Sequence, residues 1–115
     1  MILLSGLRII DCNQATLSLF GGDAADIVGK TVLDFSPPLQ GAGEKTSDQA
    51  ARFLTSTKEI PLQTFEWKHH DISGRPFDAE VRLKPFGSWE GETLAVAFVR
   101  DITARKKAEG ERRAN

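Results

Sequence analysis

The clearest pattern in the chain is a strict alternation of apolar and charged residues between positions 77 and 84. Phe77, Ala79, Val81 and Leu83 occupy the odd positions, while the even positions carry Asp, Glu, Arg and Lys. Successive side chains of a strand point to opposite faces, so this stretch predicts a strand with one apolar and one charged face.

Two neighbouring stretches extend this strand into an antiparallel meander. Residues 63–70 are strand-like, and the polar segment 71–76 contains Gly74, which favours a hairpin loop. Residues 86–92 predict a second turn, and residues 93–99 are apolar on both faces of a third strand. One face of this meander must then be covered by the preceding part of the chain.

The first half of the chain predicts a short hairpin followed by helices. The first helix has Asn13 as a suitable N-cap and the pair Gly21-Gly22 as its end. The helices are short, so each depends on tertiary packing for its stability. The predicted elements are strands at 2–4 and 7–12, short helices at 14–20, 24–28 and 31–35, a Gly-rich loop at 39–45, and a longer helix at 46–58.

This order of elements predicts an α+β fold. The helices are expected to group on one face of a five-stranded antiparallel sheet. We predict one domain over residues 1–103 and a linker helix over residues 104–115 that leaves it. The linker carries five basic and two acidic side chains, which is typical of a solvated helix.

Composition narrows the classes of function. The chain has 115 residues, with 15 basic and 16 acidic side chains, so the charge balance does not favour nucleic acid as a partner. Cys12 is the single cysteine, which excludes an intrachain disulfide and favours a reducing, cytoplasmic location. No apolar run approaches the ~20 residues of a membrane span, so no membrane insertion is expected.

Four stretches of the sequence resemble the PAS domain with its C-terminal PAC segment. They are Leu7–Ala15, Phe20–Gly29, residues 65–77 with Ser73-Gly74-Arg75-Pro76-Phe77, and residues 100–109 beginning Arg100-Asp101-Ile102-Thr103. The departures are a truncated first strand and Gly110, which weakens the exit helix by roughly 1 kcal/mol relative to Ala. The resemblance implies a sensory module of a bacterial-type signalling protein whose output domain, a histidine kinase or a diguanylate cyclase, lies outside this chain.

The same resemblance implies either a small ligand between the sheet and the helices or a ligand-free dimerisation module. The alternative role of the residues around such a pocket is simply to fill the core. Trp67 has an indole N–H that needs an acceptor when buried, and a ligand atom is one candidate. The candidate ligand-binding residues are Phe53, Leu54, Trp67, Phe77 and Phe98.

No cofactor is predicted. Family members with a flavin–cysteine photocycle carry an Asn-Cys-Arg run in the helical segment, whereas residues 32–37 here contain no Cys. Haem-binding members place a His on the long helix, and residues 46–58 contain none. His69 and His70 are expected to be exposed strand-end residues, and adjacent strand residues cannot readily share one metal ion. Cys12 is expected to be buried and inert.

The end of the sheet is the expected signal junction. Asp101, Ile102 and Thr103 lie where the last strand meets the exit helix, and the Asp101 and Thr103 side chains can each accept a hydrogen bond from the free amides of the first turn. The resemblance implies that the signal leaves through this junction. The sequence contains no catalytic constellation, so the domain itself is not expected to be an enzyme.

The last strand predicts a partner. Leu94, Val96 and Phe98 are expected to face the helices, which leaves the alternate residues outward as an uncovered apolar patch. We therefore predict a homodimer through the outer face of the sheet. The residues of that predicted interface are Ala95, Ala97 and Val99.

Overall fold

A computed structural model of the chain describes residues 1–40 and 43–114. Gly41 and Ala42 of the predicted Gly-rich loop, and Asn115 of the predicted exit helix, lie outside the described residues. In chain order the elements are β1 (Ile2–Ser5), β2 (Arg8–Cys12), α1 (Gln14–Phe20), α2 (Ala24–Ile27), a 3₁₀ turn (Val32–Phe35), α3 (Thr46–Ser56), β3 (Gln63–His70), β4 (Pro76–Trp89), β5 (Glu92–Asp101) and α4 (Thr103–Ala114).

The five strands form one antiparallel sheet in the spatial order β2-β1-β5-β4-β3. The last strand of the chain therefore lies in the middle, between the amino-terminal hairpin and the meander. This arrangement confirms the predicted α+β fold with its helices and carboxyl-terminal helix.

The alternating stretch is an inner strand of the sheet. Ala79, Val81 and Leu83 are buried against the helices, while Arg82 and Lys84 on the opposite face are exposed. β4 pairs with β3 on one side and with β5 on the other. The period of two in the sequence thus placed this strand correctly.

The turn between β4 and β5 is tighter than predicted. The strands continue to Trp89 and from Glu92, and only Glu90 and Gly91 connect them, with φ values of 49° and 81°. Positive φ at both central residues is the geometry of a type I′ hairpin. The predicted turn is present, but its range of residues 86–92 was too long because Gly87 does not break the strand. It adjoins a register shift between Pro85 and Gly87, as in a β-bulge.

The side chains of β5 point to the faces of the sheet opposite to those predicted. Residues directly opposite each other in a sheet share a face, and Leu83 lies opposite Ala97 while Arg82 lies opposite Phe98. Ala97 is accordingly 5% exposed and Phe98 is 44% exposed. Because β5 is apolar on both faces, alternation alone could not set its phase. The predicted outer-face residues Ala95, Ala97 and Val99 instead point towards the helices.

Local signals in the sequence fix the helices that cover the sheet. Asn13 caps α1, since its Oδ1 accepts a hydrogen bond from the Thr16 amide at 3.1 Å. Gly21 ends α1 with a φ of 77°, a conformation that favours glycine. Three apolar side chains then anchor the short elements in the core: Phe20, Ile27 and Phe35.

Candidate functional site

A cavity of about 60 Å³ lies between the inner face of the sheet and helix α3. Its wall is almost entirely aliphatic and aromatic, and every strand except β2 contributes side chains to it. The residues that line it are Ile2, Leu4, Leu7, Val32, Ala50, Phe53, Leu54, Phe65, Trp67, His69, Val81, Leu83, Ala97 and Val99.

Three of the five candidate ligand-binding residues line this cavity. Phe53 and Leu54 project from α3 and are half-buried, and the Phe53 ring stacks on Phe65 with centroids 3.8 Å apart. Trp67 lies on the floor formed by β3. Whether these residues bind a ligand stays a prediction.

The other two candidates lie elsewhere. Phe77 is half-buried beside the cavity wall, with its ring packed against Phe20 and His69. Phe98 is on the opposite face of the sheet, and its assignment to the pocket was wrong. The reversed phase of β5 explains this error, because Ala97 and Val99 occupy the inward positions instead.

The indole of Trp67 already has a partner within the protein. Its Nε1–H donates to the Ser36 hydroxyl oxygen at 3.0 Å, and that hydroxyl donates to the Val32 carbonyl oxygen at 2.8 Å. A ligand acceptor is therefore not needed to satisfy the indole. This contact also joins β3 to the 3₁₀ turn across the core.

His69 lines the cavity, although the sequence analysis predicted that its side chain would be exposed. It is 5% exposed, and its Nδ1 lies 3.0 Å from the Phe35 carbonyl oxygen. A carbonyl only accepts, so Nδ1 carries the proton and Nε2 is the unprotonated nitrogen. Among the side chains that the structure describes, Nε2 of His69 is the one buried nitrogen or oxygen without a hydrogen-bond partner.

The surroundings of His69 keep its imidazole neutral. Burial lowers its pKa from 6.5 to about 4, against the opposing effect of the hydrogen bond to Phe35 and with a small further lowering from His70. Phe20 meets the ring edge-on and Phe77 stacks on it, with centroids 5.4 and 5.5 Å away. The signal for this burial was present in the sequence, since position 69 has the same parity as the inward positions 65 and 67.

The predicted junction residues form a compact hydrogen-bonded cluster at the end of β5, beside the start of β4. The Asp101 carboxylate accepts from the Thr103 amide at 2.8 Å, and the Thr103 hydroxyl oxygen accepts from the Asp78 amide at 3.1 Å. The Ile102 amide donates to the Asp78 carbonyl oxygen at 2.9 Å, and the Ile102 side chain is buried. The start of α4 is thereby fixed to the backbone of Asp78.

Ion pairs on the outer face connect the first turn of α4 with β3 and β4. Arg105 lies 3.4 Å from Glu66 and 3.8 Å from Glu80, and Lys106 lies 3.2 Å from Glu66. All but Glu80 are more than 40% exposed, so each pair contributes little free energy. They mark where the first turn of α4 lies over β3 and β4.

The sequence model of the PAS domain matches residues 1–104 of this chain. The chain belongs to the PAS domain family. No curated protein sequence matches it.

Solved PAS domains share its fold at low sequence identity. One is the PAS domain of a protein from Colwellia psychrerythraea, with 20% identity, a TM-score of 0.71, and coverage of 90% of this chain and 86% of that one. A second is from nitrogen regulation protein NR(II) of Vibrio parahaemolyticus, with 22% identity, a TM-score of 0.65, and coverage of 88% and 86%. A third, from a two-component sensor histidine kinase, has 18% identity, a TM-score of 0.66, and coverage of 87% and 81%.

We also considered metal ligands, the cysteine thiol and membrane-spanning helices of this PAS domain. In the part of the chain that the structure describes, no three His, Cys, Asp or Glu side chains are placed to hold a metal ion. The Cys12 thiol is half-buried, and burial together with Asp11 raises its pKa, which makes the thiolate scarce. No helix among the described residues is long and apolar enough to span a membrane.

Proposed function

We propose that this PAS domain is the sensory module of a larger signalling protein. A small ligand binds in the cavity between the sheet and α3, and its binding changes how α4 leaves the domain. The output domain lies outside this chain and is of the histidine kinase or diguanylate cyclase type. The name of one structural neighbour, a two-component sensor histidine kinase, favours the first.

The observation that carries this proposal is a short chain of contacts from the cavity to α4. His69 lines the cavity and stacks on Phe77, its cross-strand neighbour. Phe77 precedes Asp78, whose amide and carbonyl hold Thr103 and Ile102 at the start of α4. A shift of the His69 and Phe77 rings on ligand binding would act directly on the residue that anchors the helix.

The test combines native mass spectrometry with hydrogen exchange on the chain purified from cells. The expected result is an extra small-molecule mass that is retained in the native spectrum and lost on denaturation. Amide exchange in the first turn of α4 should differ between the loaded and the stripped protein. A Thr103→Val variant should keep the extra mass and lose that difference, because Val cannot accept from the Asp78 amide. Absence of any retained mass, with exchange in α4 that is the same before and after the stripping procedure, would speak for a module without a ligand.

A second candidate function is dimerisation through the outer face of the sheet. This face carries Phe98, which is 44% exposed, beside Leu94 and Val96. A two-fold contact would set this face of one copy against the same face of the other and remove the apolar side chains of both from water, which favours a second copy of this chain as the partner.

Sedimentation of a charge variant tests this dimer. A Phe98→Glu substitution should convert the dimer to a monomer at concentrations where the native chain is dimeric. The matched control is Ile60→Glu, which adds the same charge at a side chain of 43% exposure in the loop after α3. A native chain that sediments as a monomer at high micromolar concentration would contradict the interface.

A further inference from the structure

One residue of the cavity wall carries an unused hydrogen-bonding atom. His69 lines the cavity, and its Nε2 is fully buried and unpartnered among the described residues. Its Nδ1–H donates a hydrogen bond to the Phe35 carbonyl oxygen, so Nε2 is unprotonated and can accept a hydrogen bond. Leaving a buried acceptor unpaired is costly, so a group that donates to this nitrogen would bind favourably.

The neighbouring polar side chains cannot supply that donor. The Trp67 indole N–H is bonded to the Ser36 hydroxyl, and the Ser36 hydrogen goes to the Val32 carbonyl. Gln40, which is also buried, donates to Thr46 and to the Lys68 carbonyl oxygen. None of these side chains is free to donate to His69, which leaves a molecule bound beside it as the source of a donor.

The rest of the wall defines the other properties of that molecule. Apart from His69 every lining residue is aliphatic or aromatic, and no charged side chain is among them. An ionic ligand would lose its hydration there without gaining a counter-charge. The volume of about 60 Å³ is below the ~150 Å³ of an apolar cavity that accepts benzene, so the fit is to a ligand smaller than a six-membered ring.

We propose that the cavity binds a small, uncharged and mostly apolar molecule that donates one hydrogen bond to Nε2 of His69. This inference rests on the proposed ligand-sensing function and adds the chemical class of the ligand to it. A bound water on Nε2 would satisfy the nitrogen equally well, and the experiment separates the two.

Pyrrole and furan provide a matched pair of probes. The two five-membered rings have nearly the same size, but pyrrole presents an N–H donor and furan only an acceptor. Titration of the ¹⁵N-labelled chain at pH 7.5, followed by NMR, should give tighter binding of pyrrole by about tenfold, the value of one buried hydrogen bond. Long-range ¹H–¹⁵N spectra of the imidazole should show the Nε2 resonance moving upfield with pyrrole and not with furan.

Two variants assign the preference to His69. His69→Phe keeps an aromatic ring beside Phe20 and Phe77 but removes the acceptor, so it should bind both rings with similar affinity. The control, His70→Phe, changes the adjacent histidine and should keep the preference for pyrrole. If His69→Phe does not fold, the two titrations of the native chain and the Nε2 resonance still decide the question.

The outcomes distinguish this inference from the function on which it rests. Equal binding of pyrrole and furan to the native chain would overturn the role of His69 and leave the cavity as a ligand site. A preference that persists in His69→Phe would do the same. Failure of both rings to bind at saturating concentration would overturn the inference together with the proposed use of the cavity.

Discussion

Acid should destabilise this domain through His69 before the carboxylates are titrated. The pKa of the buried imidazole is about 4, compared with 6.5 in the unfolded chain. Between these values the unfolded state binds a proton that the folded state does not, so the free energy of unfolding falls as the pH falls from 6.5 towards 4. The stabilising contribution is complete above pH 6.5, because the imidazole is then neutral in both states.

The size of the effect follows from the shift in pKa. Each pKa unit corresponds to 1.36 kcal/mol, so the total loss is on the order of 3 kcal/mol, with about 1 kcal/mol already lost at pH 5.5. Domains of this kind have total stabilities of roughly 5–15 kcal/mol, so the loss is a substantial share. The cost arises chiefly because burial removes water from the charged ring, and its Nε2–H would also have no acceptor among the described residues.

Urea unfolding at a series of pH values from 7.5 to 4.5 measures this loss. The native chain should lose about 2 kcal/mol or more across the series relative to His69→Phe, which cannot be protonated at this position. Taking the difference between the two proteins cancels the titration of other groups, including His70. If the two stability curves stay parallel over this range, the imidazole is not held neutral by burial and the reasoning is refuted.

Three further predictions concern single contacts. Gln40→Leu removes the side chain that accepts from the Lys68 amide at 2.7 Å and donates to its carbonyl, and should cost about 1–3 kcal/mol in urea unfolding; an unchanged midpoint would contradict it. Thr103→Val should speed hydrogen exchange of the Asp78 amide at least several-fold, whereas unchanged protection would show that another acceptor replaces the hydroxyl. Gly21→Ala, at a φ of 77°, should cost about 1 kcal/mol by thermal unfolding, and no loss would argue against the left-handed cap.

The sequence predicted those parts of the fold in which one physical signal dominates. The alternation around Val81 set the inner strand, and the capping chemistry of Asn13 and Gly21 set the ends of α1. It failed where two faces were equally apolar, since β5 offered no contrast between Ala97 and Phe98. The missing information was the register against β4, which is a tertiary contact.

The sequence predicted three apolar side chains of the cavity wall but not the histidine that also lines it. Phe53, Leu54 and Trp67 line the cavity, as the apolar pattern indicated. His69 was expected to be exposed, together with His70, as a residue at the end of a strand. Its parity with Trp67 was the stronger signal, because position along a strand fixes the face irrespective of residue type.

The pairing of β3 with β4 explains why His69 is well placed to influence α4. In an antiparallel pair, hydrogen-bonded and non-hydrogen-bonded residue pairs alternate. Lys68 and Asp78 are opposite each other, and both direct their backbone groups away from the partner strand. The amide and the carbonyl of Lys68 are hydrogen-bonded to the side chain of Gln40. The amide of Asp78 is hydrogen-bonded to the Thr103 hydroxyl, and its carbonyl is hydrogen-bonded to the Ile102 amide.

This cross-strand pair is thus tied on one side to the segment before α3 and on the other to the start of α4. The next pair along the ladder is His69 with Phe77, whose rings stack inside the core. A molecule that shifts the His69 imidazole towards the cavity would also displace Phe77. The adjacent pair, Lys68 and Asp78, is hydrogen-bonded on both sides and resists this movement. The displacement must then be taken up by the Gln40 segment or by α4, and α4 is the element that leaves the domain.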